Sequence, residues 1–529
     1  MKSIKSLVSL ILVFLLMFGL MTGCSSGTSD GSQSSEEDSR SASSQNGQSQ
    51  DKSNEETVTI TWYLPGSPTQ MTSDGYEAVM AEINDYLKEK LNVKLDLKVV
   101  DLSEFSQKCA TVISSGEVYD IMFTADWVNT FSNNVAANAF LPLDDYLEKY
   151  APDIVADLPE YVWKAVTVGG KIYAMPARQN DAKNDGFFLR KDIADALGIT
   201  PSSYENGVNV YSMADVEELY EKIKEYDPEI IPDDSSQILW EYYDEIPGFN
   251  YLAGFAVPGV VRFSEGEKTV INQFETEEFL EYCKMVRRWI EKGYLREDYG
   301  TFVNMSDQIT IERKSPKHVT YRAGYVAPHV AAMAMSTCGW DETPVPIICS
   351  EKWITTIGVT QSLNAVGVNS KHPEKAVQLY NLVYSDEYLI NTIIYGLEDV
   401  NYKKISDTEI EIIRDSNYVQ PVHSFAVANQ FITWVEHGVY PGDIWEQTRK
   451  FGEDAHVSKI FGFIFDGSNV KTEIANCSAI YSEFRNTLLC GAMDPEEGVA
   501  ELNRRMKGAG ADRIIAEMQR QLDEFLANQ

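Results

Sequence analysis

Between residues 57 and 123 the apolar residues change period four times, and no other stretch constrains the fold as tightly. Val58, Ile60 and Trp62 alternate with threonines, the period of a strand, and Pro65, Gly66 and Pro68 end it. Tyr76, Val79, Met80, Ile83 and Leu87 then fall on one face of a helix. Val93 to Val99 alternates strictly, Phe105, Cys109, Val112 and Ile113 mark a second helix stopped by Gly116, and Ile121, Met122 and Phe123 read as a short buried strand. A β-α-β-α-β order requires crossovers between parallel strands, so it predicts an α/β domain. Ligands in such sheets sit beyond the carboxyl ends of the strands. That singles out the loops at 62–70 and 124–127.

Ahead of this domain lies a segment of a different kind. Lys2 and Lys5 precede an apolar run from Leu7 to Leu20, and Met21, Thr22, Gly23 and Cys24 close it. The run is shorter than the ~20 residues a membrane-spanning helix needs. Its charged head, apolar middle and small residues read as a secretory signal. A cysteine directly after Thr-Gly resembles the lipobox of bacterial lipoproteins, which implies cleavage after residue 23 and diacylation (palmitate-type) of Cys24. Residues 25–56 are rich in Ser, Gly, Gln and Asp and lack aromatics, a composition that cannot bury enough surface to fold. As a coil this tether spans about 30 Å. No later segment of the 529 residues reads as a second span. The expected location is the extracellular face of the cytoplasmic membrane.

The formal net charge of −35 disfavours nucleic acid and anionic lipid as partners. Cys109, Cys283, Cys338, Cys349, Cys477 and Cys490 match no metal or redox spacing, and no C-x-x-C occurs. They read as single core residues, with three disulfides the alternative. No metal and no cofactor is expected. The chain lacks G-x-S-x-G, H-E-x-x-H and a P-loop, so no catalytic residues are assigned.

Further along, FLPLDDYLEKY (140–150), GGKIYAMPARQ (169–179) and GFFLRKDIADALGI (186–199) resemble the extracellular solute-binding proteins of family 1. The segments at 270–298 and 366–403 resemble that family's helical middle and the strand, crossing and helix pair after it. Residues 461–480 and the final helices resemble its LipO/LplA-type lipoprotein subgroup. The resemblance runs from residue 57 to the end. It implies the substrate-binding component of an ABC importer, capturing a carbohydrate, an oligosaccharide by expectation, for permease subunits in the membrane. Peptide or other small-solute binding is the alternative, a secreted glycoside hydrolase or a surface sensor a more distant one.

The implied fold is α/β, two-lobed and periplasmic-binding-protein-like, with discontinuous lobes, hinge crossings and extra C-terminal helices, acting as a monomer. The expected first lobe is 57–176 with 317–358, and the second is 177–316 with 359–529. The crossings are expected near 175–178, 317–325 and 358–368.

A sugar site combines aromatic faces with hydrogen-bonding side chains. Trp62, Tyr63 and Gln70 after the first strand, and Asp126 and Trp127 after the third, are candidates by position. Arg178 and Gln179, with Asn180 and Asp181, follow the first crossing. Tyr325 and His329 flank the expected return, and Trp353 lies near the last crossing. Glu398 and Asp399 sit on a turn, Gln430 and Trp434 read as sharing a helical face, and Trp240, Tyr242 and Tyr243 form an aromatic cluster.

Overall fold

In the computed structural model the described residues are 56–205, 209–233, 248–296, 311–322, 324–489 and 492–528. The signal, Cys24, the tether, Cys490 and the Trp240–Tyr242–Tyr243 cluster lie outside them.

The opening pattern folds as its periods dictate. Strand β1 (Val58–Gly66) is followed by helix α1 (Ser73–Leu91), β2 (Val93–Asp101), α2 (Leu102–Ser115) and β3 (Ile121–Thr124). Thr72 caps α1 by accepting from the Gly75 N–H, and Asn92 ends it in the left-handed region at φ 52°. Asp101 caps α2, and Gly116, at φ 71°, ends it. β1 pairs in parallel with β2 from Val58–Val93 to Gly66–Asp101, and with β3 at Trp62–Ile121. The five-stranded order is β2, β1, β3, Leu363–Val366, Met175–Pro176, the last two antiparallel to their neighbours.

A second, three-stranded antiparallel sheet places Gly186–Leu189 between Thr320–Tyr321 and Val345–Ile348. Its alternating side chains serve two layers. Phe187, Leu189 and Ile347 enter a core with the helices Met213–Tyr226 and Glu277–Glu291. Phe188, Tyr321 and Ile348 face the other way, in the same apolar cluster as the helix Pro328–Cys338. The C-terminal helices, through Leu502, Met506, Ile514, Met518 and Leu522, join the core of Phe187.

Between these sheets the chain passes three times. Ala182–Lys183, Trp353–Ile354 and His456–Val457 form a small sheet of their own, with Trp353 paired to both Lys183 and His456. The first two passages touch at Gly358, where a Cβ would lie 2.7 Å from the Asp181 carbonyl oxygen. Only glycine permits that approach.

This packing differs from the expected boundaries in two places. Leu363–Val366 inserts beside β3, and the helix Pro373–Ser385 lays Ala376, Val377, Tyr380 and Val383 in the core that holds Trp62. The stretch 363–451 therefore divides from the C-terminal helices rather than joining them. Conversely, Thr320–Tyr321 and Val345–Ile348 pair with Gly186–Leu189 and not with β1–β3. The crossings accordingly lie near 182, 354 and 456. A short apolar strand carries a period but no label for its partner, which is why the sequence misplaced them. Cys109, Cys283, Cys338, Cys349 and Cys477 are all buried, as single core residues would be.

Candidate functional site

Just beyond β3 the chain makes a tight loop. The Ala125 N–H donates to the Val128 carbonyl at 3.0 Å, and the Phe131 N–H returns to the Ala125 carbonyl at 2.9 Å. Asn129 takes φ 46° and anchors its amide on the Phe123 carbonyl at 2.8 Å. Asparagine tolerates this left-handed turn better than most residues. The loop docks on the second passage. The Asp126 N–H donates to Thr360 O at 3.0 Å, and the Trp127 indole N–H to Gln361 O at 2.9 Å.

A cleft of about 360 Å³ opens beside this contact. One wall is Asp126, Thr130, Ser132 and Asn133 of the β3 loop and the turn of helix after it. The passages contribute Thr356, Thr360 and Ile460. Asn250, Tyr251 and Leu252, with Phe463 and Phe465, complete it from the second core. Asn250 is fixed from behind. Its Nδ2 donates to Glu267 at 2.8 Å and to the Ser458 hydroxyl at 3.0 Å. Ser458 and the Lys459 N–H also donate to Glu267, at 2.6 and 2.8 Å. Next to Asp126 in the loop, Trp127 is 49 % exposed. Its ring lies 6.3 Å from Phe425, which stacks on His423 at 5.5 Å and 10°. Burial pushes the His423 imidazole pKa down, against the pull of Asp101. Hydroxyls, amides and one carboxylate between apolar walls suit a ligand with both polar groups and C–H faces.

Of the sequence candidates, Asp126 lines this cleft and Trp127 adjoins it. Trp62 instead is core: its indole N–H donates to Asn364 at 2.8 Å, and its ring meets Tyr380 edge-on at 5.7 Å. Tyr63 is buried and donates to Glu117 at 3.2 Å; burial and that carboxylate push its hydroxyl up to about 12. Gln70 is exposed on a short 3-10 turn, its carbonyl accepting from the Val419 N–H at 2.8 Å.

Arg178, Gln179 and Gln430 are brought together away from this cleft. The Gln430 N–H donates to Arg178 O at 2.9 Å, and the guanidinium lies 3.5 Å from Asp157, 3.8 Å from Asp181 and 5.5 Å from the Phe431 ring. The Gln179 Nε2 is buried with no hydrogen bond among the described residues. Asn180 donates to the Ala182 carbonyl at 2.6 Å. Asp181 accepts from the Tyr161 hydroxyl at 3.2 Å, and burial raises its carboxyl to about 6 despite Arg178.

Tyr325 meets His329 Nε2 at 2.9 Å beneath Lys183, and burial pushes His329 down to about 4. Trp353 stacks on Phe263 at 4.0 Å and 14°. Glu398 and Asp399 are exposed on a turn, Asp399 at φ 60°. Gln430 and Trp434 do not share a helix: 430–432 is a 3-10 turn, and Trp434 is buried with its indole N–H on Glu387 at 2.6 Å. The Asn250–Tyr251 and Phe463–Phe465 walls had no sequence signal, because only the passages bring them opposite the β3 loop. Among the described residues no cluster has the makings of a metal site, and no helix is long and apolar enough to cross a membrane.

The chain is similar to known proteins over most of its length. Residues 72–256 match the bacterial extracellular solute-binding protein family, and residues 459–527 match a domain of unknown function, DUF3502. A carbohydrate ABC transporter substrate-binding protein of Streptococcus pneumoniae serotype 4 is 28% identical over 460 residues, covering 86% of this chain and 89% of the relative. Among solved structures, the N-glycan transport solute-binding protein NgtS of Streptococcus pneumoniae aligns at TM-score 0.75 and 24% identity, over 89% of this chain and 99% of that one. Its complex with Man5GlcNAc aligns at TM-score 0.68 and 25% identity, with the same coverage. An HMO-binding, ABC-transporter-associated protein of Bifidobacterium longum infantis shares the fold at TM-score 0.59 and 14% identity, over 89% of this chain and 99% of that one.

Proposed function

We propose that this chain, a relative of the bacterial extracellular solute-binding proteins, is the capture component of a carbohydrate importer, taking an oligosaccharide between its two sheet layers and handing it to an ABC permease. The observation that carries the reading is the cleft itself. It is walled on one side by the β3 loop and on the other by the second core, beside the three passages that join them. A ligand gripped from both sides stabilises whichever arrangement brings the walls together, because only differential affinity shifts such an equilibrium. Hydroxyls and amides at the cleft suit sugar hydroxyls, and Trp127, exposed beside Asp126, offers a stacking face. The likeness to an N-glycan-binding protein over 89% of this chain supports an oligosaccharide rather than a monosaccharide.

The mechanism is capture without bond cleavage, and the chain acts as a monomer. Cys24 carries the lipid anchor after removal of residues 1–23, and residues 25–56 let the domain reach its permease. The protein then stands at the outer face of the cytoplasmic membrane.

The test is a thermal-shift screen of the full chain in detergent against neutral and acidic oligosaccharides, amino acids and short peptides. A ligand that binds only the folded state raises Tm. A shift with one glycan class, the glycan recovered intact, supports the reading. A shift from peptides alone refutes the carbohydrate assignment, and recovery of cleaved glycan makes the chain a hydrolase.

A further inference from the structure

Resting on the carbohydrate reading, we infer that Glu267 is a positioning residue for the ligand. It turns the Asn250 amide so that a carbonyl oxygen, and not an NH2 group, meets a sugar hydroxyl. Asn250 lies on the strand Phe249–Tyr251, which pairs with Val260–Arg262, and the turn after that hairpin brings Glu267 back behind it. Asn250 is 6 % exposed and lines the cleft, whereas Glu267 is 1 % exposed. Glu267 holds φ 61°, uncommon for a residue other than glycine. Such a conformation persists where its surroundings over-determine it, and here three hydrogen bonds converge on the side chain.

Those bonds leave one orientation. The Lys459 N–H reaches Oε1 of Glu267 at 2.8 Å, and the Ser458 hydroxyl and Asn250 Nδ2 reach Oε2 at 2.6 and 2.8 Å. Ser458 Oγ itself accepts from Asn250 Nδ2 at 3.0 Å and from the Ile460 N–H at 3.2 Å, so its own hydrogen goes to Glu267. Glu267 therefore only accepts. With the Asn250 amide turned over, Oδ1 would stand 2.8 Å from Oε2, two acceptors with no hydrogen between them. Both amide hydrogens thus point inward, and Oδ1, which no hydrogen bond among the described residues reaches, is left for the cleft. A sugar hydroxyl donates to it; a methyl ether or a fluorine in the same place cannot. Glu267→Gln should invert this arrangement. The Lys459 N–H cannot turn, so it keeps an oxygen opposite itself and sets the new NH2 where Oε2 stood. Asn250 then gives its oxygen inward and shows the cleft an NH2, with the buried bonds kept in number and the presented group reversed.

Calorimetry on the full chain in detergent decides this, with maltotetraose, mannotetraose, cellotetraose and lacto-N-tetraose as probes. For the probe that the wild type binds most tightly, Glu267→Gln should lose about 10-fold in affinity, the scale of a hydrogen bond replaced by two facing donors. Asn250→Ala should lose about as much. The swap Glu267→Gln/Asn250→Asp keeps the charge and the buried bonds and returns an oxygen to the cleft, so it should bind within ~3-fold of wild type. In an Asn250→Ala background, Glu267→Gln should change affinity less than ~2-fold, because no amide is left to turn. Should Glu267→Gln alone not fold, the swap set against Asn250→Ala carries the same decision. Affinity unmoved by Glu267→Gln or by Asn250→Ala, or no recovery in the swap, overturns the inference. So does an undiminished loss in the Asn250→Ala background, which would mean that Glu267 acts through the passage at 458–459. Each of these leaves the carbohydrate reading intact, whereas a wild type that binds none of the probes overturns both.

Discussion

Asp181 sits where the first passage leaves the β1 sheet, and replacing it with asparagine has a calculable consequence. Its carboxyl is 9 % exposed and is held by the Tyr161 hydroxyl at 3.2 Å and by Arg178 at 3.8 Å. Asp157 lies beyond that guanidinium at 3.5 Å. Loss of water outweighs the guanidinium, and the pKa rises from 3.8 to about 6. Below about pH 4 both folded and unfolded chains hold the proton and the group has no pH-dependent cost. Between pH 4 and 6 the unfolded chain releases it first, so stability falls as pH rises. Above pH 6 the whole deficit stands, about 3 kcal/mol at 1.36 kcal/mol per pH unit.

Asp181→Asn removes that slope while keeping the shape and an acceptor for Tyr161. Urea unfolding of both proteins at pH 4 and pH 7 should show the variant gaining about 2.4 kcal/mol on the wild type between the two conditions, since the unfolded carboxyl is already partly ionised at pH 4. Reading the change in difference cancels every other carboxylate, and cancels the intrinsic cost of the amide. Parallel pH dependences would refute the reasoning, and would mean that Asp181 ionises at its ordinary value with water or Arg178 compensating its burial.

Other consequences can be measured separately. Trp127→Ala should weaken glycan binding by about 1 kcal/mol, roughly fivefold, if the ring stacks on ligand; unchanged affinity in calorimetry removes it from the site. Asn364→Ala should cost on the order of 3 kcal/mol in denaturant unfolding. It strands the Trp62 indole N–H and the Ala426 and Val427 carbonyls, which now lie 2.8, 3.0 and 3.3 Å from its amide. Cys24→Ala should release the chain from the cell surface into the medium, seen by fractionation; retention on the membrane would refute lipid anchoring.

Much of this protein is determined locally. The switch from period 2 to period 3.6 between Val58 and Phe123 was enough to give the parallel β1–β3 core, because each element needs only its own neighbours to bury a face. The C-terminal helices were legible for the same reason, their apolar residues recurring on one face. Asp126 was legible as a cleft residue because a loop after a parallel strand lies at the strand's carboxyl end whatever follows it. Tertiary structure alone decided the rest. Trp62 follows the same rule of position, yet side chains alternate along a strand, and register turned this one onto Asn364 and Tyr380. Leu363–Val366 and Val345–Ile348 are equally short and apolar, and only pairing assigns the first to β3 and the second to Gly186–Leu189. Asn250 and Phe463 reach the Asp126 cleft because three distant passages hold the cores together there. Such contacts join residues more than a hundred positions apart, and no local period encodes them.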